Sequence, residues 1–519
     1  MVEGRLDFGD AADWEAKIAP QQTTAATVPA QPRMKPIDRD QCEFRTFALD
    51  ELIGEDHPAR ALWDFLGGLD LSEFEKGIQA VEGRAGQAAI QPRLLIALWL
   101  QACSDGVGSA REVSRRCGTH PAYRWLCGDE AINHHSLSDF RVQQREALDQ
   151  LFIEVLAALN YQGLISLERV THDGTRIRAA ASRGSFHREK TIEESYAEAA
   201  AQVAAQGDPE QEAAQGRVEA ARWRRERERA EKLGRAREVV QQLQASKAKA
   251  EEKKQTRASI TEPDARIMKM PDKSFAPAYN AQFTTAADHG IIIEAEVTQQ
   301  GSDFGQLLPA LEGVKQKFGQ LPDQTLVDGG YMSRENILEL DGRTDLIGPF
   351  DEEGKNATER RRRNGIAAEY ATEMFVFDAA TNRFVCPQGC TLTLVRRIPG
   401  IGKIEHQYRA QETDCAQCRD KGRCCPKTAA RRLTRIEEAE AVVRLRRKMA
   451  SEAAKAVYKI RAQVAEFPNC WIKEKFGLRR FHVRGLEKVQ METLWHVIAY
   501  NVQQWIRLRW QPALLARTA

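Results

Sequence analysis

The chain has 519 residues, enough for several domains and beyond the size at which one hydrophobic core keeps growing. Its 76 Lys and Arg nearly cancel 74 Asp and Glu, so the net charge of +2 does not single out a nucleic-acid partner. Basic runs are local, at 360–363, 431–432, 446–448 and 479–480, and local patches set the field that a phosphate backbone feels. No N-terminal stretch reads as a signal peptide, and the longest apolar run, around 94–100, is too short to span a bilayer. The expectation is a soluble cytoplasmic chain without a membrane partner.

Residues 1–40, rich in Ala, Gln, Pro and Thr, lack periodicity and read as a disordered leader. A helical pattern follows, giving an all-helical N-terminal domain over 41–160. Leu94, Leu95, Ala97, Leu98 and Leu100 line a buried helix, and Ser109 caps the next. Ser136, with Asp139 three residues on, resembles a capping box ahead of a long amphipathic helix reaching Leu159. Arg111, Arg115, Arg116, Arg141 and Arg145 would give this domain a basic face, suited to DNA ends or, equally, to solvating a dimerisation module.

Strand-like runs come next at 165–172, 279–286, 290–298, 324–327 and 344–349, with a helix over 304–318. Three strands, a helix, a strand and later helices form the skeleton of a ribonuclease-H-like mixed sheet, an α/β (α+β mixed) core over 161–186 and 259–350. Two insertions interrupt it. Residues 187–258 have the composition of an exposed helical arm, broken at Gly207, Asp208 and Pro209. Residues 351–434 form a cysteine-rich β insertion. Of eleven cysteines, six fall here: Cys386, Cys390, Cys415, Cys418, Cys424 and Cys425. Close pairs separated by a short β segment have zinc-ribbon spacing, so Cys386, Cys415, Cys418 and Cys424, with Cys390 competing, are the expected Zn²⁺ ligands. Residues 435–519 would complete the core with helices.

Three acids carry the chemistry. Asp173 and Asp328 each follow a short β-branched or apolar run and precede a glycine, as a strand delivers a carboxylate to a sheet rim. In the expected sheet the first and fourth strands are neighbours, which brings the two together. Alone, either Asp-Gly is also a common turn. Glu466 lies in a basic helix with Lys473 seven residues on, nearly the same face. Such a carboxylate can hold Mg²⁺ or Mn²⁺ while the ammonium holds a phosphate; Tyr458 can stack on a base and Arg461 clamp a phosphate. Pro468 must kink or begin this helix. Glu492 stands as the alternative third acid.

Together these words resemble bacterial insertion-sequence transposases of the Asp-Asp-Glu class, in the branch with a helical N-terminal domain and a Tyr–Arg–Glu–Lys signature. The resemblance extends from Phe47 onward, through His57, Pro58, Ala59, Arg60, Glu262, Asp264, Asn280, Gln282 and the run from Phe481 to Lys488. It implies metal ligation by Asp173, Asp328 and Glu466, and handling of the element end by Tyr458, Arg461 and Lys473. It also implies DNA as partner and a homodimer that joins two ends. The sequence departs from the pattern at Asn469 and Cys470, where a Phe-Gly pair is expected, and its Arg-to-Glu gap is one residue longer. A catalytically inactive or repurposed DNA-binding descendant is the competing reading.

Overall fold

The computed structural model describes residues 46, 48–76, 78, 80, 88–205, 217–350 and 354–518. The expected leader, Phe47 and the break at Gly207, Asp208 and Pro209 lie outside the described residues. Six helices open the described chain: α1 Pro58–Gly67, α2 Pro92–Ser104, α3 Ala110–Thr119, α4 Pro121–Cys127, α5 His134–Gln143 and α6 Arg145–Tyr161. Proline starts α1, α2 and α4, at the position where its missing N–H costs nothing. The expected long helix from Ser136 is two. Asn133, rather than Ser136, caps α5 by accepting the His135 N–H, and Gln144 leaves helical geometry before α6 begins. Ser109 occupies the cap position of α3 without a side-chain bond.

The six helices do not close on themselves. Leu95, Ile96, Leu98, Trp99 and Leu100 of α2 share one continuous core with the sheet and with the buried helix at Leu486–Trp505. Arg141 belongs to that core and not to a basic face. It is 8% exposed, lies 4.6 Å from the Trp99 ring and donates to the Gly108 carbonyl. Arg116 is paired with Glu112 and Asp105, and Arg145 with Asp149. Only Arg111 and Arg115 of the expected set are fully outward.

The main sheet is built from β1 Arg169–Arg178, β4 Arg266–Lys269, β5 Phe275–Ala286, β6 Ile292–Thr298, β7 Gln324–Val327 and β8 Asp345–Ile347, with the short pair β2 Phe186–Arg188 and β3 Arg257–Ser259 lying apart. β5 runs antiparallel to β1, β4 and β6, while β7 and β8 continue the other side of β1 in parallel. β1 and β7 are neighbours as expected, the order β6-β5-β1-β7-β8 is consistent with a ribonuclease-H-like core, and the α/β class holds with its helical N-terminal region. β4 was not foreseen; it shares the edge of the long β5 with β6. β1 was expected to stop at His172. It continues to Arg178 because β5 pairs with it from Val170 to Arg178, which keeps Asp173 and Gly174 extended. Asp173 is therefore within a strand, and only Asp328 follows a strand end.

Between β2 and β3, α7 Glu189–Ala204 and α8 Arg217–Ala245 bury Ile192 against Ala236, Val239 and Val240 and are tied by Arg237 to Glu193 at 2.7 Å. After β6 come α9 Leu307–Phe318 and, beyond β7, α10 Arg334–Leu340. A second sheet follows, an antiparallel meander of β9 Val376–Asp378, β10 Arg383–Val385, β11 Thr391–Gly400, β12 Lys403–Ala410 and β13 Arg432–Glu438. It has its own core, with Phe375, Phe384, Leu392, Tyr408 and Leu433. The chain then returns as α11 Glu440–Ala450, α12 Glu452–Cys470 and α13 Leu486–Trp505. Among the described residues no helix is long and apolar enough to cross a membrane.

Candidate active site

Register places the two aspartates side by side. The parallel pairing of β1 and β7 ends at His172 opposite Val327, so Asp173 and Asp328 are the next residue on each strand. α12 lies over this point. Arg461 Nη2 donates to Asp173 Oδ1 at 2.9 Å and stands 3.9 Å from Asp328 Oδ2. Two turns on, Asn469 Nδ2 donates to Asp173 Oδ2 at 3.0 Å. Lys473 Nζ donates to Thr175 Oγ1 of β1 at 2.7 Å. Asp328 Oδ1 accepts the Gly330 N–H at 2.7 Å, fixing the turn after β7.

Pro468 neither starts nor stops the helix. α12 runs through it and opens into a π-turn at Trp471–Lys475, so the backbone bond that proline cannot donate is accommodated by local unwinding. Lys473 sits in that π-turn. Asn469, a departure from the family pattern, proves to be a contact residue. Its signal was the spacing of eight from Arg461, which returns to a nearby face of a helix.

The third acid stands differently. Glu466 is exposed on α12 and forms no hydrogen bond or ion pair among the described residues, so the structure joins Asp173 to Asp328 but leaves Glu466 facing solvent. Glu492 has a structural task. It is 1% exposed and accepts the backbone N–H groups of His482 and Val483. Burial pushes its carboxyl up, but bonding from His482 and the charges of Arg141 and His496 outweigh that and hold it below the ordinary value. Tyr458 is half-buried beside Arg461 and Asp328; burial raises its hydroxyl pKa.

A carboxylate that sequence reasoning missed lies under the pair. Asp303 Oδ1 accepts Asn280 Nδ2 at 2.8 Å and Gln282 Nε2 at 3.1 Å, and Gln282 in turn accepts the Tyr331 hydroxyl at 2.5 Å. Asp303 precedes α9 in a loop, where an acid reads as an ordinary helix-start residue; nothing local marks it.

Burial pushes the Asp173 carboxyl up to about 6, opposed by Arg461 and reinforced by Asp328 and Asp303. Burial also drives the neighbouring His172 down to about 4. The two act oppositely on stability. The Asp173 contribution is full below its ordinary 3.8 and is lost as pH rises through 6, whereas the His172 contribution is full above 6.5 and is lost as pH falls through 4. Each amounts to about 3 kcal/mol, so they largely cancel between pH 4 and 6. Relative to the wild type, metal-free Asp173→Asn should therefore gain stability with rising pH, and His172→Gln should lose it. Denaturant titrations at pH 4 and pH 6.5 check both signs; identical slopes for all three proteins would refute the offset.

Among the described residues, no group of three or more His, Cys, Asp or Glu side chains is gathered closely enough to hold a metal ion. The donor chemistry nonetheless fits hard cations at the aspartates, where two carboxylates with Asp303 behind them share one guanidinium. In the second sheet, Cys386, Cys390, Cys415, Cys418, Cys424 and Cys425 line one cavity of about 30 Å³. Burial raises Cys390, and Cys386 adds to the shift; burial takes Cys424 up to about 12. A soft-ligand set of this kind suits Zn²⁺.

Comparison with known families matches residues 385–506 to a family described as Transposase DDE domain, and residues 47–143 to one described as Transposase domain (DUF772). No curated protein and no solved structure matches the chain. The first segment holds Arg461, Glu466, Asn469 and Lys473; Asp173, Asp303 and Asp328 fall between the two. The two matches cover the helical start, most of the second sheet and the C-terminal helices, each of them less than half of the chain, and both descriptions are of transposase domains.

Proposed function

We propose that the chain is a DNA transposase of the Asp-Asp-Glu class, cleaving phosphodiesters at the ends of an insertion sequence and joining the freed 3′-hydroxyl to target DNA. The observation that carries this reading is the placement of Asp173 beside Asp328 under one basic helix. Asp173, Asp328 and Glu466 would hold Mg²⁺ or Mn²⁺, which when bound supplies charge stabilisation to the attacking and leaving oxygens. The remaining work falls to the chain. Arg461 neutralises Asp173 and Asp328 until cations take that task, and then offers its planar donor set to a phosphate. Lys473, held against β1 through Thr175, places a second positive charge on the same side. Tyr458 presents a ring to a terminal base. For Glu466 to join the aspartates, its exposed side chain must swing inward as DNA covers the helix.

The cysteine cavity is proposed as a structural Zn²⁺ site using Cys386, Cys415, Cys418 and Cys424, with Cys390 as competitor. Two copies of the chain would synapse two ends. A second reading, a DNA-binding descendant without chemistry, is favoured by one observation, the outward Glu466.

The purified protein with Mg²⁺ and labelled DNA from the flanks of its reading frame separates the readings. New 3′-hydroxyl ends and strand-transfer products support the first; binding without cleavage supports the second. Binding itself should weaken steeply with salt, since each neutralised phosphate releases about 0.9 counterion equivalents. A flat log–log salt plot would count against both.

A further inference from the structure

We infer that Asp303 is a positioning residue for the Asp173–Asp328 pair, acting through Gln282 and Tyr331; this rests on the cation-dependent reading above. Asp303 Oδ1 is bonded to two amides that are themselves buried, Asn280 (1% exposed) and Gln282 (3%). Gln282 passes the constraint to the hydroxyl of Tyr331, a fully buried residue three positions after Asp328. The Tyr331 ring stands edge-on to His172 at 4.8 Å, directly before Asp173. One carboxylate therefore braces both aspartate-bearing segments from below.

Gly174 makes room for this brace, and Gly330 for the Asp328 carboxylate beside it. A Cβ on Gly174 would lie 2.4 Å from Gln282 Nε2 and 2.7 Å from Asp303 Oδ1. A Cβ on Gly330 would lie 3.0 Å from Asp328 Oδ1 and 3.7 Å from Asp303 Oδ2. Among the described residues no Lys or Arg pairs with Asp303, and its Oδ2 accepts no hydrogen bond. Its negative charge is thus left to act on whatever the aspartates hold. Partners of this kind orient metal ligands, and their loss costs about 10–100-fold in metal affinity.

The test is Mn²⁺ titration of the full chain followed by electron paramagnetic resonance, with thermal melting in parallel. Asp173→Ala should remove the tightest Mn²⁺ binding. Asp303→Asn, which keeps the shape but turns a donor toward the amides, should weaken it by at least about tenfold while the melt stays close to wild type. Asp303→Glu should restore part of the affinity. Tyr331→Phe cuts the relay without changing charge and should give a smaller loss in the same direction, which covers the case in which Asp303→Asn does not fold. Wild-type Mn²⁺ affinity in Asp303→Asn or in Tyr331→Phe, alongside a loss in Asp173→Ala, overturns the role of Asp303 and leaves the cation site standing. Mn²⁺ binding that is indifferent to Asp173 overturns both.

Discussion

Asp328→Ala should lower end cleavage and strand transfer by about a thousandfold or more, roughly 4 kcal/mol or more of transition-state stabilisation, with DNA binding kept within a few fold. Asp328 follows the end of β7 and accepts the Gly330 N–H, so truncation removes a charge at the site without opening the core. Asp173→Ala should cost as much activity, but it also strips Arg461, 13% exposed, of its partner at 2.9 Å. A buried charge left with only the 3.9 Å contact to Asp328 is destabilising, so this variant should melt lower than Asp328→Ala. Glu466→Ala should match the activity loss with no change in melting, because its side chain is exposed and unbonded. Glu492→Ala should do the reverse to the fold, destabilising it by about 3 kcal/mol or more as two backbone donors and His482 lose their buried acceptor. Comparing melts with gel-based cleavage separates these four. Full cleavage by Glu466→Ala would remove it from the catalytic set.

If the proposed Zn²⁺ occupies the cysteine cavity, its removal should unfold the second sheet and spare the rest. The meander is small, with a core of a few side chains separate from the main one, and six cysteines line one cavity beside it. In such a unit bound zinc contributes about 10–16 kcal/mol of apparent folding energy. Protein purified without chelator should carry about one zinc per chain, and Cys415→Ser should lose it. Limited proteolysis of that variant should cut within 376–438 while the segment around β1 and β7 stays protected. Metal analysis showing no zinc would leave the thiols as packing residues.

Strand positions were legible in local apolar runs, with β7 at its observed residues, while the neighbouring of β1 and β7 was legible from the two Asp-Gly steps and not from periodicity. What failed were features decided by partners distant in sequence. Asp173 and Gly174 look like a turn until β5, a hundred residues on, pairs across them. Arg141 looks like surface until Trp99 and the carbonyl of Gly108 enclose it. Asp303 gives no local sign at all, since it sits in a loop and its partners Asn280 and Gln282 lie on β5. Several family words turn out to be braces. His57 caps α1, Arg60 bonds Asp50, and Glu262 holds Tyr279 and the Ala181 N–H. The shared face expected for Glu466 and Lys473 also failed, because Lys473 sits in the π-turn and reaches Thr175 while Glu466 is exposed.

Crystals of the protein soaked in Mn²⁺ and measured at the manganese absorption edge test the central claim most directly. The account predicts anomalous density within about 2–2.5 Å of carboxylate oxygens of both Asp173 and Asp328, with Arg461 displaced from its ion pair. Manganese bound elsewhere, or absent while Arg461 still bridges the two aspartates, would contradict it.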